Sequence, residues 1–274
     1  MISVFLSLML LGLTAATIGS LVGLGGGVIL VPVLLYLGLI GWLDVSHQVA
    51  VGTSLIVIIV TALSSTLSYL KQKRVEVQCG LLFFLASGPG AIAGAMINQR
   101  MEVDRFAIVC GLFMIFMSFM LMLRGRLKKK KEISWSVTKR YIDPRTGEEY
   151  RYGYHRGIGL IVSFLVGILT GLFGLGGGAF IISMMILLFH FPPHVATATS
   201  MFIILLSSII GSFTHLYYGN INWWYVLALA PGAWVGGRLG PWISTKLHAN
   251  WIVLILRILL IVIGIRLIWQ GIVG

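Results

Sequence analysis

One glycine-rich string occurs twice in this 274-residue chain, as GLGGG at 23–27 and again at 174–178, each time within a long apolar stretch. Glycines at such places free backbone N–H groups and let another backbone or a ligand come close. A short helix that begins there directs unpaired N–H groups and the positive end of its dipole into the protein. The strings therefore predict an anion site without a buried Lys or Arg, with close helix packing through small residues as the alternative. The predicted donors are Gly23, Gly25, Gly26, Gly27, Gly174, Gly176, Gly177 and Gly178.

Each glycine string is followed by a matching hydroxyl pair, Thr53-Ser54 in the first half of the chain and Thr199-Ser200 in the second. Hydroxyls at these places can donate to an oxyanion, or they can bond to a carbonyl of their own helix. Because the pairs recur together with the glycine strings, we expect Thr53, Ser54, Thr199 and Ser200 to line the same polar pocket.

A second matched pair of dipeptides, Pro89-Gly90 and Pro231-Gly232, interrupts a later apolar stretch of each half. Proline removes a backbone donor and kinks a helix, so these dipeptides predict hinges or pocket-lining bends, with packing kinks as the alternative.

Arg238 is the candidate cation for an anionic substrate at membrane depth, or else a side chain that reaches to the membrane surface. Met96 occupies the matching place in the first half, so a site that uses Arg238 would be asymmetric.

The sequence does not support several other chemistries. The sixth position of each string is Val28 or Ala179, so neither string is a dinucleotide-binding fingerprint. No carboxylate lies deep in an apolar stretch, and no metal-ligand spacing or Ser-His-Asp pattern is present. Cys79 and Cys110 are expected to be packed as small hydrophobic residues. We therefore predict no metal, no cofactor and no enzymatic activity.

Composition places most of the chain in a lipid bilayer. Hydrophobic residues make up 58% of the chain and charged residues 10%, against roughly 25% charged in a typical soluble domain. A soluble fold of this size could not bury so much apolar surface. The formal net charge of +12 does not indicate nucleic-acid binding, because eleven of the twenty Lys and Arg fall between residues 124 and 156. Basic loops of that kind are typical of the cytoplasmic side of a membrane.

The apolar stretches predict an all-α polytopic membrane protein with two homologous halves. Each half has one double-length stretch with a glycine string in its middle, and three stretches of ordinary length. Because each glycine costs roughly 1 kcal/mol in a helix interior, we expect two short helices joined at each string, and hence five plus five helices. Five helices per half make the halves inverted repeats, as the basic residues at 71–74 and the uncharged residues at 217–220 also indicate. Four plus four helices, with parallel halves, is the alternative.

We divide the chain into an N-terminal transmembrane repeat (1–124), a basic cytoplasmic loop with a β-hairpin (125–156) and a C-terminal transmembrane repeat (157–274). The hairpin is predicted at residues 141–150, where Asp-Pro opens a turn and Gly closes it. The lysine run at 128–131 is expected to contact anionic lipid headgroups.

The paired GLGGG strings, the Val-Ala-x-x-Thr-Ser pattern of each half and the Pro-Gly dipeptides resemble the sulfite exporter TauE/SafE family of membrane permeases, over about residues 14–269. The resemblance implies an exporter or permease in a bacterial plasma membrane. It also implies a substrate among sulfite, thiosulfate, sulfoacetate and related organosulfonates, without fixing which one. The long charged central loop is an elaboration outside this pattern.

We therefore expect a secondary transporter of a small sulfur oxyanion or organosulfonate, with sulfite as the leading candidate. The anion would bind between the two glycine strings and move by alternating access. The lipid bilayer is an expected partner, nucleic acid is not, and homo-oligomerisation is left open. A membrane-embedded enzyme that uses Cys79 or Cys110, and a passive anion channel, are the alternatives.

Overall fold

The computed structural model describes residues 2–123, 137–142, 149–244 and 250–273. These residues form ten α-helices and one antiparallel pair of strands. The elements are α1 (Ile2–Val22), α2 (Gly27–Leu39), α3 (His47–Lys71), α4 (Val77–Arg100), α5 (Val103–Leu123), β1 (Val137–Ile142), β2 (Glu149–Tyr154), α6 (Arg156–Phe173), α7 (Gly178–Leu187), α8 (Pro193–Tyr217), α9 (Trp223–Ile243) and α10 (Asn250–Val273). The two strands flank the predicted turn; the turn at 143–148 and the lysine run at 128–131 lie outside the described residues.

Helix length and composition confirm an all-α polytopic membrane protein. Within the described residues, six helices are long and apolar enough to cross a membrane, namely α1, α3, α4, α5, α6 and α8. Large apolar side chains such as Leu85, Ile161 and Leu227 are exposed on the outside of the bundle. Such a surface is stable where lipid rather than water is the solvent.

Both glycine strings break the helix, as predicted. α1 ends at Val22 and α2 begins at Gly27, while α6 ends at Phe173 and α7 begins at Gly178. The helices on the two sides of each break differ in length: α1 and α6 have 21 and 18 residues, whereas α2 and α7 have 13 and 10. The prediction of two short helices therefore holds for the second helix of each pair only, because the apolar stretch before each string is itself long enough to span a bilayer.

The central helices α3 and α8 run in opposite directions. Both are largely buried: in the most apolar 18-residue window of each helix, 72% of α3 and 78% of α8 is buried. Asn222, at the start of α9, donates its backbone N–H to Thr53 near the start of α3. Glu76, which follows the end of α3, donates its N–H to Thr199 near the start of α8. The starts of α3 and α8 therefore lie at opposite ends of the molecule.

The outer helices pack in matching pairs, α1 on α9 and α6 on α4, with α5 on α10. A Cβ on Gly90 of α4 would overlap the carbonyl oxygen of Phe164 in α6, and a Cβ on Gly232 of α9 would overlap that of Met9 in α1. These close backbone contacts are those expected where helices associate through small residues in lipid.

Candidate functional site

The two glycine strings contact each other through their backbones. A Cβ on Gly27 would overlap the carbonyl oxygen of Gly174, and a Cβ on Gly178 would overlap that of Gly23. In both overlaps, the last glycine of one string meets the first glycine of the other. We call this contact, formed by residues 23–28 and 174–179, the glycine crossing. All of its residues are buried.

Helices α2 and α7 both begin within the glycine crossing. Gly26 and Gly177 precede them with φ of 88° and 56°, a left-handed conformation that glycine adopts readily. Neither helix start has a side-chain cap. Two short helices therefore present their positive ends to the interior of the bundle.

Three consecutive N–H groups at each helix start have no acceptor among the described residues. They belong to Gly26, Gly27 and Val28 in the first string and to their equivalents 177–179 in the second. The next N–H groups, of Ile29 and Phe180, bond to the Gly26 and Gly177 carbonyls. Buried backbone N–H groups are nearly always paired, so such a set needs a partner that the described residues do not supply. An anion is the partner that a helix N-terminus prefers.

The two serines of the predicted site cross-link the halves. Ser54 Oγ donates to the Gly174 carbonyl at 3.0 Å, and Ser200 Oγ donates to the Gly23 carbonyl at 3.0 Å. Each hydroxyl also lies 2.8 Å from a carbonyl of its own helix. Their single protons are thus directed at carbonyl oxygens. The serines cover acceptor groups that would repel an anion, and they leave the N–H groups as the donors of the crossing.

The structure separates the threonines from the serines. Thr53 Oγ1 accepts the Asn222 N–H at 3.1 Å, and Thr199 Oγ1 accepts the Glu76 N–H at 3.0 Å. Asn222 and Glu76 are the residues that precede α9 and α4. Each threonine therefore ties the start of its helix to a helix start of the other half, at opposite ends of the molecule.

A further matched pair, not predicted as part of the site, lies beside the crossing. Tyr69 donates its hydroxyl proton to the Ser20 carbonyl at 2.9 Å, and the His215 ring nitrogen Nε2 lies 2.9 Å from the Gly171 carbonyl. Both side chains reach the helix turn that precedes a glycine string. Tyr69 and His215 occupy equivalent positions when the two halves are aligned, and this is the sequence signal that identifies them as a pair.

The remaining predicted residues lie away from the crossing. Arg238 is exposed, and its guanidinium stands over the Trp234 ring at 5.2 Å. Pro89 and Pro231 are exposed, and α4 and α9 continue through them. Their glycine partners fill the helix contacts described above, which favours the packing alternative for both dipeptides.

Two cavities among the described residues lie away from the crossing, both near helix starts. One, of about 230 Å³, lies beside His47 at the start of α3. The other, of about 330 Å³, lies beside Asn222 and Trp224 at the start of α9. No residue of the crossing lines either of these cavities, and the crossing itself is buried and closely packed.

At the end of the molecule where α4 begins, the strand pair covers the helix starts. Lys139 Nζ and the Tyr152 hydroxyl both contact the Glu76 carboxylate, the tyrosine at 3.2 Å. Tyr154 packs edge-on against Phe83 with ring centroids 5.9 Å apart. Burial raises the pKa of the Tyr154 phenol, and the neighbouring Cys79 and Glu76 raise it further.

The described residues offer no group of three or more His, Cys, Asp or Glu side chains that could hold a metal ion. Cys79 and Cys110 are both buried as free thiols. The packing expected for the two cysteines is therefore observed.

The fold and the glycine crossing together define a multi-pass membrane protein with two broken helices that meet in its interior, an arrangement typical of transporters. The chain belongs to the sulfite exporter TauE/SafE family, whose sequence model matches residues 8–267. It is 48% identical to the probable membrane transporter protein YunE of Bacillus subtilis (strain 168), over 98% of each chain.

More distant relatives are also named as transporters. A probable membrane transporter protein of Xylella fastidiosa (strain Temecula1) is 25% identical over 95% of this chain and 93% of its own length. The sulfite exporter TauE/SafE family protein 6 of Arabidopsis thaliana is 33% identical over 32% of this chain and 20% of its own length. No solved structure matches the chain.

Proposed function

We propose that this protein is a secondary transporter that exports a small sulfur-containing anion, with sulfite as the leading substrate. The observation that carries the proposal is the set of unpaired N–H groups at the starts of α2 and α7. Main-chain N–H groups suit an oxyanion, because several can converge on its oxygens without the cost of burying a permanent cation. Family membership supports the same class of solute.

The antiparallel course of α3 and α8 supports inverted repeats. In such transporters, a site between the halves is exposed to each side in turn as one half rocks against the other. The serine bonds of Ser54 and Ser200 cross the boundary between the halves, so they are among the contacts that such a motion would change. The packed crossing then corresponds to the closed state of the cycle.

Membrane orientation follows from the basic central segment. With residues 124–156 in the cytoplasm of a bacterial cell, the strand pair and the start of α4 face inward, and the start of α3 faces outward. An anion leaving a cell whose interior is negative gains about 2.3 kcal/mol per charge for every 100 mV. Export can therefore run on the membrane potential alone.

The test removes one N–H donor at a time from the crossing. Proline lacks an N–H but is tolerated in the first turn of a helix, so Val28→Pro and Ala179→Pro each delete one unpaired donor. A hydrogen bond to a charged group contributes about 1.5–3 kcal/mol, so each variant should weaken sulfite binding roughly tenfold or more. Gly157→Pro, at the matching place in the first turn of α6, is the control, since a Cβ on Gly157 would meet no atom closer than 3.7 Å.

The measurement is sulfite flux into liposomes that contain the purified chain. We expect flux that saturates with sulfite concentration and shows counterflow, and that falls in Val28→Pro and Ala179→Pro but not in Gly157→Pro. Flux that neither saturates nor shows counterflow would support a passive channel. Unchanged flux in both crossing variants would contradict the proposed site.

A further inference from the structure

The cavity beside His47 has a polar end and an apolar wall. It lies where the end of α2, the starts of α3 and α5, and the end of α10 come together, and its volume is about 230 Å³. Leu35, Phe106 and Leu267 contribute to the apolar wall, while Ser46, His47 and Gln270 supply the polar groups.

His47 is buried in this cavity wall, with the main-chain groups of Asn98 and Met101 near its ring. Its side chain is 3% exposed, and neither ring nitrogen makes a hydrogen bond of normal geometry to any described residue. Its ring lies 4.7 Å from the Phe106 ring, measured between centroids. Leaving buried polar atoms unpaired destabilises the folded state. An imidazole held in this way has donor and acceptor capacity that a ligand in the cavity can use.

The start of α3 adds main-chain donors to the same end of the cavity. The Ser46 side chain accepts the Val49 N–H at 3.3 Å. The N–H groups of His47 and Gln48 have no acceptor among the described residues. The positive end of a 25-residue helix therefore lies next to the unpaired imidazole.

Two aromatic rings separate the cavity from the glycine crossing. Phe106 lines the cavity and lies 5.9 Å from Phe173, between ring centroids. Phe173 directly precedes Gly174, the first residue of the second string. Both rings are about 1% exposed, so they fill the space between the two places.

We propose that the His47 cavity is a second binding site for a small oxyanion, at the outer end of the route that leads to the glycine crossing. The inference rests on the proposed transport function. Hydrogen sulfite carries both an O–H donor and oxygen acceptors, so it can pair with the ring nitrogen that faces it in either tautomer of a neutral imidazole. The α3 N-terminus stabilises its charge, and the Phe106–Phe173 pair closes the way to the crossing.

Two variants test the site independently. His47→Phe keeps a ring against Phe106 but removes both nitrogens, and Ala107→Phe fills the cavity without changing His47. Ala107 is 4% exposed and lines the same cavity. His155→Phe, at an exposed histidine at the start of α6, is the control.

The readouts are the thermal unfolding of the purified chain and its binding of sodium sulfite by titration calorimetry, with sodium chloride at matched ionic strength as the reference. Wild type should bind two sulfite ions, while His47→Phe and Ala107→Phe should bind one. Without sulfite, His47→Phe should unfold at the same or a higher temperature than wild type, because two unpaired polar atoms are gone. A residue with a purely structural role would instead lower that temperature.

The outcomes separate this site from the transport function. If Val28→Pro impairs flux while His47→Phe and Ala107→Phe still bind two sulfite ions, the His47 site is wrong and the proposed transporter stands. If wild type neither binds nor moves sulfite, the proposed function fails, and the second site fails with it. A single bound sulfite in wild type that depends on Val28 also overturns the His47 site.

Discussion

The Ser54 hydroxyl donates to the Gly174 carbonyl at 3.0 Å, and so joins α3 of the first half to the glycine string of the second. Ser200 and Gly23 repeat this bond in the other direction, also at 3.0 Å. The two bonds hold each string at a fixed place relative to the opposite half. They therefore set the position of the helix starts that we propose to bind the anion.

Loss of these bonds should lower stability by similar amounts. Ser54→Ala and Ser200→Ala each leave a buried carbonyl without its partner, and each should lower the free energy of unfolding by about 1–3 kcal/mol. Thermal or denaturant unfolding in detergent measures the change. Ser7→Ala is the control, because Ser7 bonds only to its own helix, at Ser3. A small loss of stability in one serine variant and a large loss in the other would contradict equivalent roles.

Closing the space between the two strings should disrupt the fold. A Cβ at Gly27 or Gly178 would overlap a main-chain oxygen, which cannot move aside as a side chain can. Gly27→Ala and Gly178→Ala should thus destabilise the protein by several kcal/mol and reduce its yield from membranes. Gly157→Ala, where the nearest atom is 3.7 Å away, is the matched control. Normal folding of the crossing variants would show that the strings are not in contact.

The ends of α3 and α8 should be accessible from opposite sides of the membrane. Lys71 and Tyr217 occupy the last residues of these antiparallel helices, and both are exposed. In intact cells, an impermeant maleimide should label Tyr217→Cys, and it should label Lys71→Cys only after permeabilisation. The native Cys79 and Cys110 are buried and should stay unlabelled. Labelling of both variants from one side would rule out inverted halves.

The ion pair between Lys139 of β1 and Glu76 at the start of α4 should tolerate a swap of its two charges. The Lys139 and Glu76 side chains are 27% and 15% exposed, so their ion pair is only partly screened by solvent. Glu76→Lys should place two like charges together and speed limited proteolysis of the strands about fivefold, as a loss of about 1 kcal/mol implies. The double variant Glu76→Lys with Lys139→Glu should restore the wild-type rate. A double variant as labile as the single one would mean that the pair does not hold the strands.

Local rules were enough to predict the broken helices and the five-plus-five arrangement of elements. Consecutive glycines at 25–27 are costly in a helix, and an apolar stretch twice the thickness of a bilayer must fold back. The structure confirms ten helices within the described residues. The length of α1 was not predicted, since the position of a break within an apolar stretch depends on packing against α9.

The partners of the polar residues could not be predicted from spacing alone. Ser54 and Gly174 are 120 residues apart, and nothing local distinguishes a serine that bonds across the halves from one that bonds to its own helix. The sequence alone does not single out His47, because a histidine near the end of a span carries no distinguishing local pattern. The role that we propose for it rests on its burial and on the lack of hydrogen bonds of normal geometry to any described residue.

An anomalous difference map from crystals of the purified chain, soaked with selenite as the heavier analogue of sulfite, would locate the anion. The anomalous signal of selenium should give a peak within hydrogen-bond distance of the N–H groups of residues 26–28 and 177–179. That peak should be absent in Val28→Pro combined with Ala179→Pro and present in Gly157→Pro. Selenite bound only elsewhere, with the glycine crossing packed as it is here, would contradict a main-chain anion site between the halves.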